Sequence, residues 1–327
     1  MIRTLLDLAE RFPLAGRYYG GMATIVALHR VAEPEPDRLS VNEEMKLSPA
    51  VLERFIQDLQ SAGHRFISME TLWHHLVTGQ PLQKCMVFTL DDGYVDNYTQ
   101  AYPIFKKYGV PFTVYLTSSF PDQTAQMWWY ALEDILCVRD ELHLSADWHF
   151  DLSSRHQKNQ AFLALRRLML DPALAGQRSC MDALFKSHAV DWLTYNCLHA
   201  LSWEQVNVLS ADPLVTIGGH TARHVGLSGL SAPAMVQEVV GAHERIAAMT
   251  GRPVAHFAYP FGGRKDAGFR EFSMLKALGL KTAVTTRRGN VFAQHSDHLT
   301  ALPRVSLDNS LALRTLARPT FPRVVTA

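Results

Sequence analysis

Two neighbouring carboxylates at the end of an apolar run are the first candidates for chemistry in this sequence. The run Cys85–Leu90 is followed directly by Asp91, Asp92 and Gly93. A short apolar run is typical of a buried strand, and barrel enzymes place their catalytic groups where such strands end. Adjacent carboxylates repel each other, so we expect a cation beside them.

Two histidines downstream carry the ligand atoms that such a cation needs. His220 and His224 are four residues apart and follow the apolar segment Leu214–Ile217. The carboxylate of Asp92 and two imidazoles suit a divalent metal, and three protein ligands leave a position for water, as in catalytic sites. Zinc is the expected ion, and cobalt, nickel and iron also suit this set. The pair alone is a common pattern, and its position after a strand end is what favours a metal site.

The residues around the histidines indicate how the two rings could meet. A helical turn over 221–224 would place both rings on one face. Gly218 and Gly219 precede the pair, and we expect them to let the backbone turn sharply after the strand.

Asp91 is then free to act as a general base. A metal ion lowers the pKa of a water that it binds from about 15.7 towards roughly 7. A neighbouring carboxylate can take the proton of that water as it attacks a carbonyl. A departing amine needs an acid, and His29 stands directly after the apolar segment Ala23–Leu28. A structural imidazole bonded to a loop carbonyl is an equal alternative for His29.

Apolar runs alternate with amphipathic helical segments along most of the chain. Strands are predicted at 23–28, 66–67, 85–90, 111–117, 214–217, 256–259, 281–285 and 302–305. This alternation is typical of an α/β protein with a parallel sheet and crossover helices. Such a set of strands closes most economically as a (β/α) barrel, complete or incomplete.

One long segment interrupts the alternation and defines the domain organisation. Between about 122 and 210 helical patterns dominate, and no linker-like composition marks either end. We interpret this segment as a helical insertion on one barrel loop. The barrel is expected over 23–310, after an N-terminal helical extension at 1–22 and before a C-terminal tail at 311–327.

Composition excludes several classes of protein. The 327 residues are 47% hydrophobic and 19% charged, which is typical of a globular protein with a sizeable core. A net charge of +1 argues against a nucleic-acid partner. The four cysteines form no CxxC pair, and residues 1–22 have no uninterrupted apolar core for a secretory signal or a transmembrane span. We therefore expect a cytoplasmic protein, with peripheral contact at the inner membrane face as an option for the N-terminal segment.

Three motifs resemble those of one enzyme family. Thr89–Gly93 resembles the TFDDG motif of the polysaccharide deacetylases, the NodB-homology family (carbohydrate esterase family 4). His220–His224 matches the H-(S/T)-x-x-H motif of that family, and Phe257–Gly262 resembles its third motif, whose Pro-aromatic-Gly turn lines the substrate groove. The resemblance covers most of the chain from Ala23 to about Ser306, and it implies a distorted (β/α)7 barrel.

The resemblance also implies an activity and a set of residues. The activity is removal of N-acetyl or similar acyl groups from amino sugars, here of a polysaccharide or glycolipid precursor, at a zinc-type site. By motif position, Asp91 resembles the family's base, and its metal ligands correspond to Asp92, His220 and His224. The residues expected to contact the substrate are those beside the motifs: Tyr94, Tyr259, Pro260 and Phe261.

The chain departs from the family pattern in two places. The third motif lacks the Arg that normally orients the base, and Arg304 is the candidate substitute, with an ordinary surface Arg as the alternative. The late Leu-x-His motif that supplies the acid is also missing, because His295 and His298 lie in a polar loop. The segment ending at His29 resembles that motif moved to the front of the chain. The same permuted order occurs in biofilm poly-N-acetylglucosamine deacetylases, and it favours His29 as the acid.

Two alternatives to sugar deacetylation stay open. The same site could hydrolyse a non-sugar C–N bond, such as that of a cyclic imide. An inactive carbohydrate-binding relative is the other alternative, since the usual Arg is absent. Trp128 and Trp129 could stack on a sugar, although we expect at least one of them in the core.

Overall fold

The computed structural model describes residues 21–145 and 148–309, so nearly all of the expected N-terminal extension and the whole C-terminal tail lie outside it. The strands, in chain order β1 to β12, are Ala23–Leu28, Arg30–Val31, Lys46–Leu47, Arg65–Phe66, Cys85–Asp92, Phe112–Leu116, Glu141–Ser145, Trp148–Asp151, Val215–Gly219, His256–Ala258, Thr282–Arg288 and Leu302–Ser306. The helices, α1 to α11, are Ser40–Glu43, Pro49–Ser61, Met69–Thr78, Tyr102–Tyr108, Trp128–Cys137, Arg155–Leu170, Ser179–Ser187, Trp192–His199, Trp203–Ala211, Ala232–Thr250 and Phe269–Ala277.

Seven parallel strands close into a barrel. The hydrogen-bonded order is β1-β12-β11-β10-β9-β6-β5, and a further pairing of β5 with β1 completes the ring. The closing pair is long, with Ala23 opposite Cys85 and Leu28 opposite Leu90. Strand β4 is an eighth, short strand beside the start of β5. The predicted (β/α)7 barrel is confirmed, and all seven strands present their carboxyl ends at one rim.

The two faces of β5 pack against different parts of the core. Val87 lies with Ile25, Ala258 and Leu302 inside the barrel. Phe88, one residue on, packs outward with the surrounding helices. Successive side chains of a strand point to opposite faces, so a strand buried on both faces appears in sequence as a continuous apolar run. This explains why the run before Asp91 is apolar except for Thr89, whose side chain is also buried.

The segment between β6 and β9 holds α5 to α9 and one feature that the helical pattern did not indicate. Strands β7 and β8 pair antiparallel as a β-hairpin within it. The insertion has its own apolar cluster, in which Leu132 and Leu136 of α5 pack with Phe162 and Leu165 of α6. The expectation of a mostly helical insertion therefore omitted a small sheet.

The segment after β5 also differs from its prediction. The sequence predicts one helix from Val95 to Tyr108, whereas the structure has a π-helix at Asn97–Ala101 that continues into α4. Such π segments often occur at functional sites. Within the described residues, no helix is both long and apolar enough to cross a membrane.

Candidate active site

The Asp pair occupies the last two positions of β5, at the barrel rim. Both side chains are buried, with 1% of Asp91 and 2% of Asp92 exposed. Asp92 has φ 75° and Gly93 has φ 97°, so the chain leaves the strand through the left-handed region. A Cβ on Gly93 would lie 2.3 Å from Cδ1 of Leu116, so a side chain at this position would clash. The bend separates the two carboxylates, and each has different neighbours.

Asp92 faces two histidines. Its Oδ1 atom lies 3.1 Å from Nε2 of His220 and 3.1 Å from Nε2 of His224. The ligand atoms of all three residues lie within 4.8 Å of one another. Burial alone would raise the pKa of Asp92, but His224 and His220 hold that pKa well below its usual range. The three residues predicted as metal ligands are therefore together, with the carboxylate ionised.

The donor atoms of this cluster fit a divalent metal. Oδ1 of Asp92 is buried and finds no hydrogen bond of normal geometry within the described residues. The Nδ1–H of His220 donates to the carbonyl of Ala258 over 2.8 Å, which leaves Nε2 as the free ligand atom. A ring held by its outer nitrogen is typical of metal-binding histidines. A divalent ion would satisfy the buried oxygen and both imidazoles at once.

The turn that carries the histidines is not the helical turn that we expected. Thr221 has φ 63° and His224 has φ 56°, and residues 221–224 form no helix. The turn is held by Glu238 of α10, which is 3% exposed. Its carboxylate accepts from the backbone N–H of Ala222 over 3.1 Å and of Arg223 over 3.0 Å, and pairs with the Arg223 guanidinium at 2.6 Å. This buried carboxylate offsets the strain of the left-handed residues.

The two glycines before the histidines are required for close packing rather than for a sharp turn. A Cβ on Gly218 would lie 2.5 Å from the Tyr115 ring, and one on Gly219 would lie 2.2 Å from the His243 ring. Both glycines remain within β9. The expected role in the turn is therefore wrong, because the turn begins only after His220.

Asp91 faces Arg304. The guanidinium makes two parallel bonds, Nη1 to Oδ1 at 2.7 Å and Nη2 to Oδ2 at 2.6 Å. Arg304 is 1% exposed, and its remaining donors reach the carbonyl of Thr285 and the hydroxyl of Thr89. Burial opposes ionisation of Asp91, but Arg304 keeps the pKa of Asp91 below its usual value. The alternative of an ordinary surface Arg is excluded, and Arg304 is in the position to orient Asp91.

His29 is half-buried and lies at the carboxyl end of β1, the strand that pairs with β5. Its imidazole contributes to the lowered pKa of Asp91 and of Asp92. The backbone around it is fixed by the π-helix, since Asn97 Nδ2 donates to the His29 carbonyl over 2.9 Å. Asp96 accepts from the Val31 amide over 3.0 Å and pairs with Arg30 over 2.7 Å. The backbone that follows His29 is thus anchored, which suits a group that must act at a defined position.

The third motif divides into one residue at the site and others in the core. Phe261 has φ 62°, and its ring lies 5.1 Å from the His224 ring. Pro260 is buried in the turn. Tyr259 is 1% exposed, and its hydroxyl donates to the Thr300 carbonyl over 2.9 Å. Tyr259 is packed on the outside of the barrel wall, which argues against the predicted substrate contact.

Tyr94 is also buried rather than open to a groove. It is 1% exposed and packs against Phe120 and Tyr130, with the Arg30 guanidinium 5.1 Å from its ring centre. Burial raises the pKa of Tyr94 well above its usual value. Tyr94 therefore packs behind the site, and its burial argues against the predicted contact with substrate.

Two residues near the ligands were not singled out from the sequence as site residues. The ring of Trp129 on α5 lies 5.8 Å from the His224 ring, and its Nε1 is buried with no hydrogen-bond partner within the described part of the chain. Glu238 holds the histidine turn from 14 residues downstream of His224. The adjacent pair Trp128 and Trp129 was a sequence signal for Trp129. A single Glu within an amphipathic helix gave no comparable signal.

Comparison with known proteins identifies the family. The polysaccharide deacetylase family model matches residues 78–283. The putative polysaccharide deacetylase YxkH of Bacillus subtilis is 51% identical over 37 residues, which are 11% of this chain and 13% of that relative. This short alignment leaves most of both chains unmatched.

Solved structures share the fold. The Streptococcus pyogenes deacetylase PplD, solved with acetate, gives a TM-score of 0.63 at 17% identity, covering 92% of this chain and 98% of that one. IcaB from Ammonifex degensii gives 0.57 at 16% identity, covering 91% and 97%. These identities are low, so the structures support the barrel alone, whereas the family model spans both motifs that carry the metal ligands. The chain belongs to the polysaccharide deacetylase family and is a hydrolase of that type.

Proposed function

We propose that this protein removes N-acetyl groups from amino sugars of a polysaccharide or glycolipid precursor. The observation that carries the proposal is the division of the Asp pair. Asp91 is locked by two bonds to the buried Arg304, while Asp92 faces two imidazoles 3.1 Å away. Metal-assisted acyl transfer to water uses a group that holds the Lewis acid and a base that accepts a proton, and these two carboxylates can supply both.

Asp92, His220 and His224 would hold the metal, and we propose zinc. Two imidazoles and one carboxylate form a ligand set of catalytic zinc sites. When bound, the ion supplies Lewis acidity, which polarises the acyl carbonyl and makes a water molecule more acidic.

The chain's own residues would move the protons. Asp91 accepts a proton from the attacking water, and Arg304 keeps that carboxylate ionised and correctly oriented. As the C–N bond breaks, His29 donates a proton to the departing nitrogen. The products are acetic acid, which ionises to acetate, and a free amino sugar. Asp91 then releases its proton to solvent and His29 takes one up, which restores both groups for the next turnover.

The rings at the rim would orient the sugar. Phe261 lies against His224 on one side, and Trp129 lies against the same ring from the insertion. The guanidinium of Arg166 of α6 lies 5.9 Å from the centre of the Phe261 ring. The insertion therefore contacts both the third-motif turn and the histidine turn. Aromatic faces offer an apolar surface to a sugar ring and a fixed edge for its hydroxyls.

The test is acetate release from N-acetylated oligosaccharides by metal-stripped protein before and after addition of Zn²⁺. We expect activity only with metal in the wild type, and none with Asp92→Asn under either condition. His156→Ala, at an exposed histidine of α6, is the matched control and should behave as the wild type. Full activity of the stripped protein would overturn the proposal.

A substrate panel separates the remaining alternative. Cyclic imides and simple N-acyl amides are assayed beside the sugars under the same conditions. Hydrolysis of the imides with no acetate release from any sugar would keep the site chemistry but replace the proposed substrate. Metal binding with no turnover of any substrate would indicate an inactive relative.

A further inference from the structure

The hairpin of the insertion has two faces of opposite character. Leu142 and Leu144 of β7 alternate with exposed neighbours, and Trp148 and Phe150 of β8 do the same. These apolar residues pack on the insertion's own cluster. The outward positions are Glu141, His143, His149 and Asp151. The period of two along each strand therefore collects every ligand-type side chain of the hairpin on the solvent side.

The strand register brings these outward residues into direct contact. His143 pairs with His149 across the antiparallel ladder, and Glu141 pairs with Asp151. The two imidazole rings stack with centres 3.8 Å apart and planes at 11°. Nε2 of His143 lies 3.4 Å from Oε2 of Glu141. Directly opposed strand residues have Cβ atoms about 5 Å apart, which is close enough for both rings to reach one ion.

We propose that Glu141, His143 and His149 form a second metal site, for a divalent ion of borderline softness such as Zn²⁺. The ligand atoms of the three residues lie within 4.8 Å of one another. Donor atoms that share one zinc lie roughly 3.3 Å apart, so small side-chain rotations complete the site. Imidazole ligands select zinc, copper and nickel over magnesium and calcium.

The charges around the hairpin favour a cation there. Glu141 supplies one carboxylate on the outward face of the hairpin. Asp151 adds a carboxylate on the same face. Its oxygens already accept from the Ser153 amide over 2.9 Å and from Gln157 Nε2 over 2.6 Å, so it contributes charge rather than a ligand.

This site is independent of the barrel site and binds more weakly. His143 and Glu141 have side chains that are 61% and 71% exposed, so water competes for the ion and no buried group fixes the rings. Three protein ligands leave further positions to solvent. The ion would exchange readily, and it would bind whether or not the barrel site is loaded.

Calorimetric titration of the metal-stripped full chain with Zn²⁺ tests the proposal. We expect two classes of site in the wild type. His149→Ala should weaken the lower-affinity class by about tenfold or more, and the double variant His143→Ala/His149→Ala should abolish it. Asp92→Asn should remove only the tighter class. His156→Ala, outside the hairpin, should change neither class.

Two results would overturn the proposal. One is a wild type that binds no zinc beyond the equivalent lost in Asp92→Asn. The other is a lower-affinity class that survives unchanged in the double hairpin variant. Circular dichroism and thermal unfolding check that the variants fold, and the exposed positions make a folding defect unexpected. Neither result depends on turnover, so the proposed deacetylase activity is tested separately.

Discussion

The barrel and the hairpin each bring one carboxylate and two imidazoles together, but in opposite surroundings. In the barrel, the side chains of Asp92 and His220 are 2% exposed and that of His224 is 16% exposed. In the hairpin, the side chains of Glu141 and His143 are 71% and 61% exposed. The same three ligand atoms therefore occur once within the core and once on the surface. Ligand type alone does not distinguish a catalytic centre from a surface chelate.

The groups around the ligands distinguish the candidate catalytic centre in the barrel from the candidate surface site in the hairpin. In the barrel, the Ala258 carbonyl fixes the His220 ring and Glu238 holds the turn before His224. A second carboxylate, Asp91, stands next to the ligand Asp92 and has its own buried partner. The hairpin ligands are exposed on a strand pair whose opposite face packs on the insertion's apolar cluster. Outer contacts set the geometry and affinity of a metal site, and a neighbouring base adds a reaction to it.

The largest expected effect follows from removing the barrel's carboxylate ligand. Asp92→Asn keeps the shape of the side chain but loses the charge that holds the ion. We expect kcat/KM for acetate release to fall by at least about a hundredfold, together with loss of the tighter zinc class. His149→Ala should leave kcat/KM unchanged. If the hairpin variant lost activity to the same extent, the distinction between the two sites would be wrong.

The fold was predictable because its pattern is local. Strands buried on both faces appear as apolar runs, and the eight predicted strands indicate a (β/α) barrel without any knowledge of side-chain contacts. The number of seven barrel strands came from the family resemblance. The burial of Tyr259 follows from the same alternation, since Ala258 points into the barrel and its neighbour must point outward. The hairpin was missed because its strands are only five and four residues long and lie among helices.

The site was only partly predictable because its supports are distant in sequence. The motif spacing correctly predicted that Asp92, His220 and His224 lie together. The helical turn that was expected to bring the two histidines together is absent, because Thr221 and His224 have left-handed backbone angles. The left-handed residues in the histidine turn depend on Glu238, which no motif connects to it. Arg304 reaches Asp91 across 213 residues, and only a family resemblance suggested it. Its orienting role stays a prediction.

Breaking the Arg304–Asp91 pair should show how far the barrel site depends on buried partners. Arg304→Met leaves the Asp91 carboxylate buried without its cation, and removal of one member of a buried pair costs roughly 3–5 kcal/mol. We expect the free energy of unfolding in urea to fall by about that amount, with loss of activity. Glu141→Gln in the hairpin should change it by less than about 0.5 kcal/mol. An equal loss in the free energy of unfolding for the two variants would mean that burial does not make the barrel site more dependent on its partners than the hairpin site.

Acid should destabilise the barrel wall through a buried histidine. His256 of β10 is 2% exposed, and burial lowers its pKa from 6.5 to about 4 although Glu70 lies nearby. The unfolded chain binds this proton below about pH 6.5 and the folded chain only below about 4, so stability falls as pH drops through that window. The loss is on the order of 3 kcal/mol. His256→Asn should give a shallower decline in urea unfolding, and His143→Ala should retain the wild-type decline.

A smaller effect should follow from weakening the support of the histidine turn. Glu238→Gln keeps the size of the side chain but loses the charge that attracts two amides and Arg223. Changes in such outer contacts typically cost 10–100-fold in metal affinity, and we expect about tenfold. Zinc titration measures the tighter class, and the hairpin class should stay the same. An unchanged affinity would show that the turn holds its shape without Glu238.

The smallest effect concerns Trp129 of the insertion, whose ring lies 5.8 Å from the ring of the metal-ligand candidate His224. Trp129 presents a ring to His224 and a buried N–H that has no partner within the described residues. Trp129→Phe keeps an aromatic ring and removes the N–H donor. If Nε1 donates to the bound substrate, loss of that hydrogen bond, worth about 1 kcal/mol, corresponds to roughly a fivefold fall in kcat/KM. Zinc affinity should not change, and stability should stay equal or rise, because an unsatisfied buried donor is costly. An unchanged kcat/KM would restrict Trp129 to packing, and the insertion would then contribute its hairpin metal site but no polar contact to the substrate.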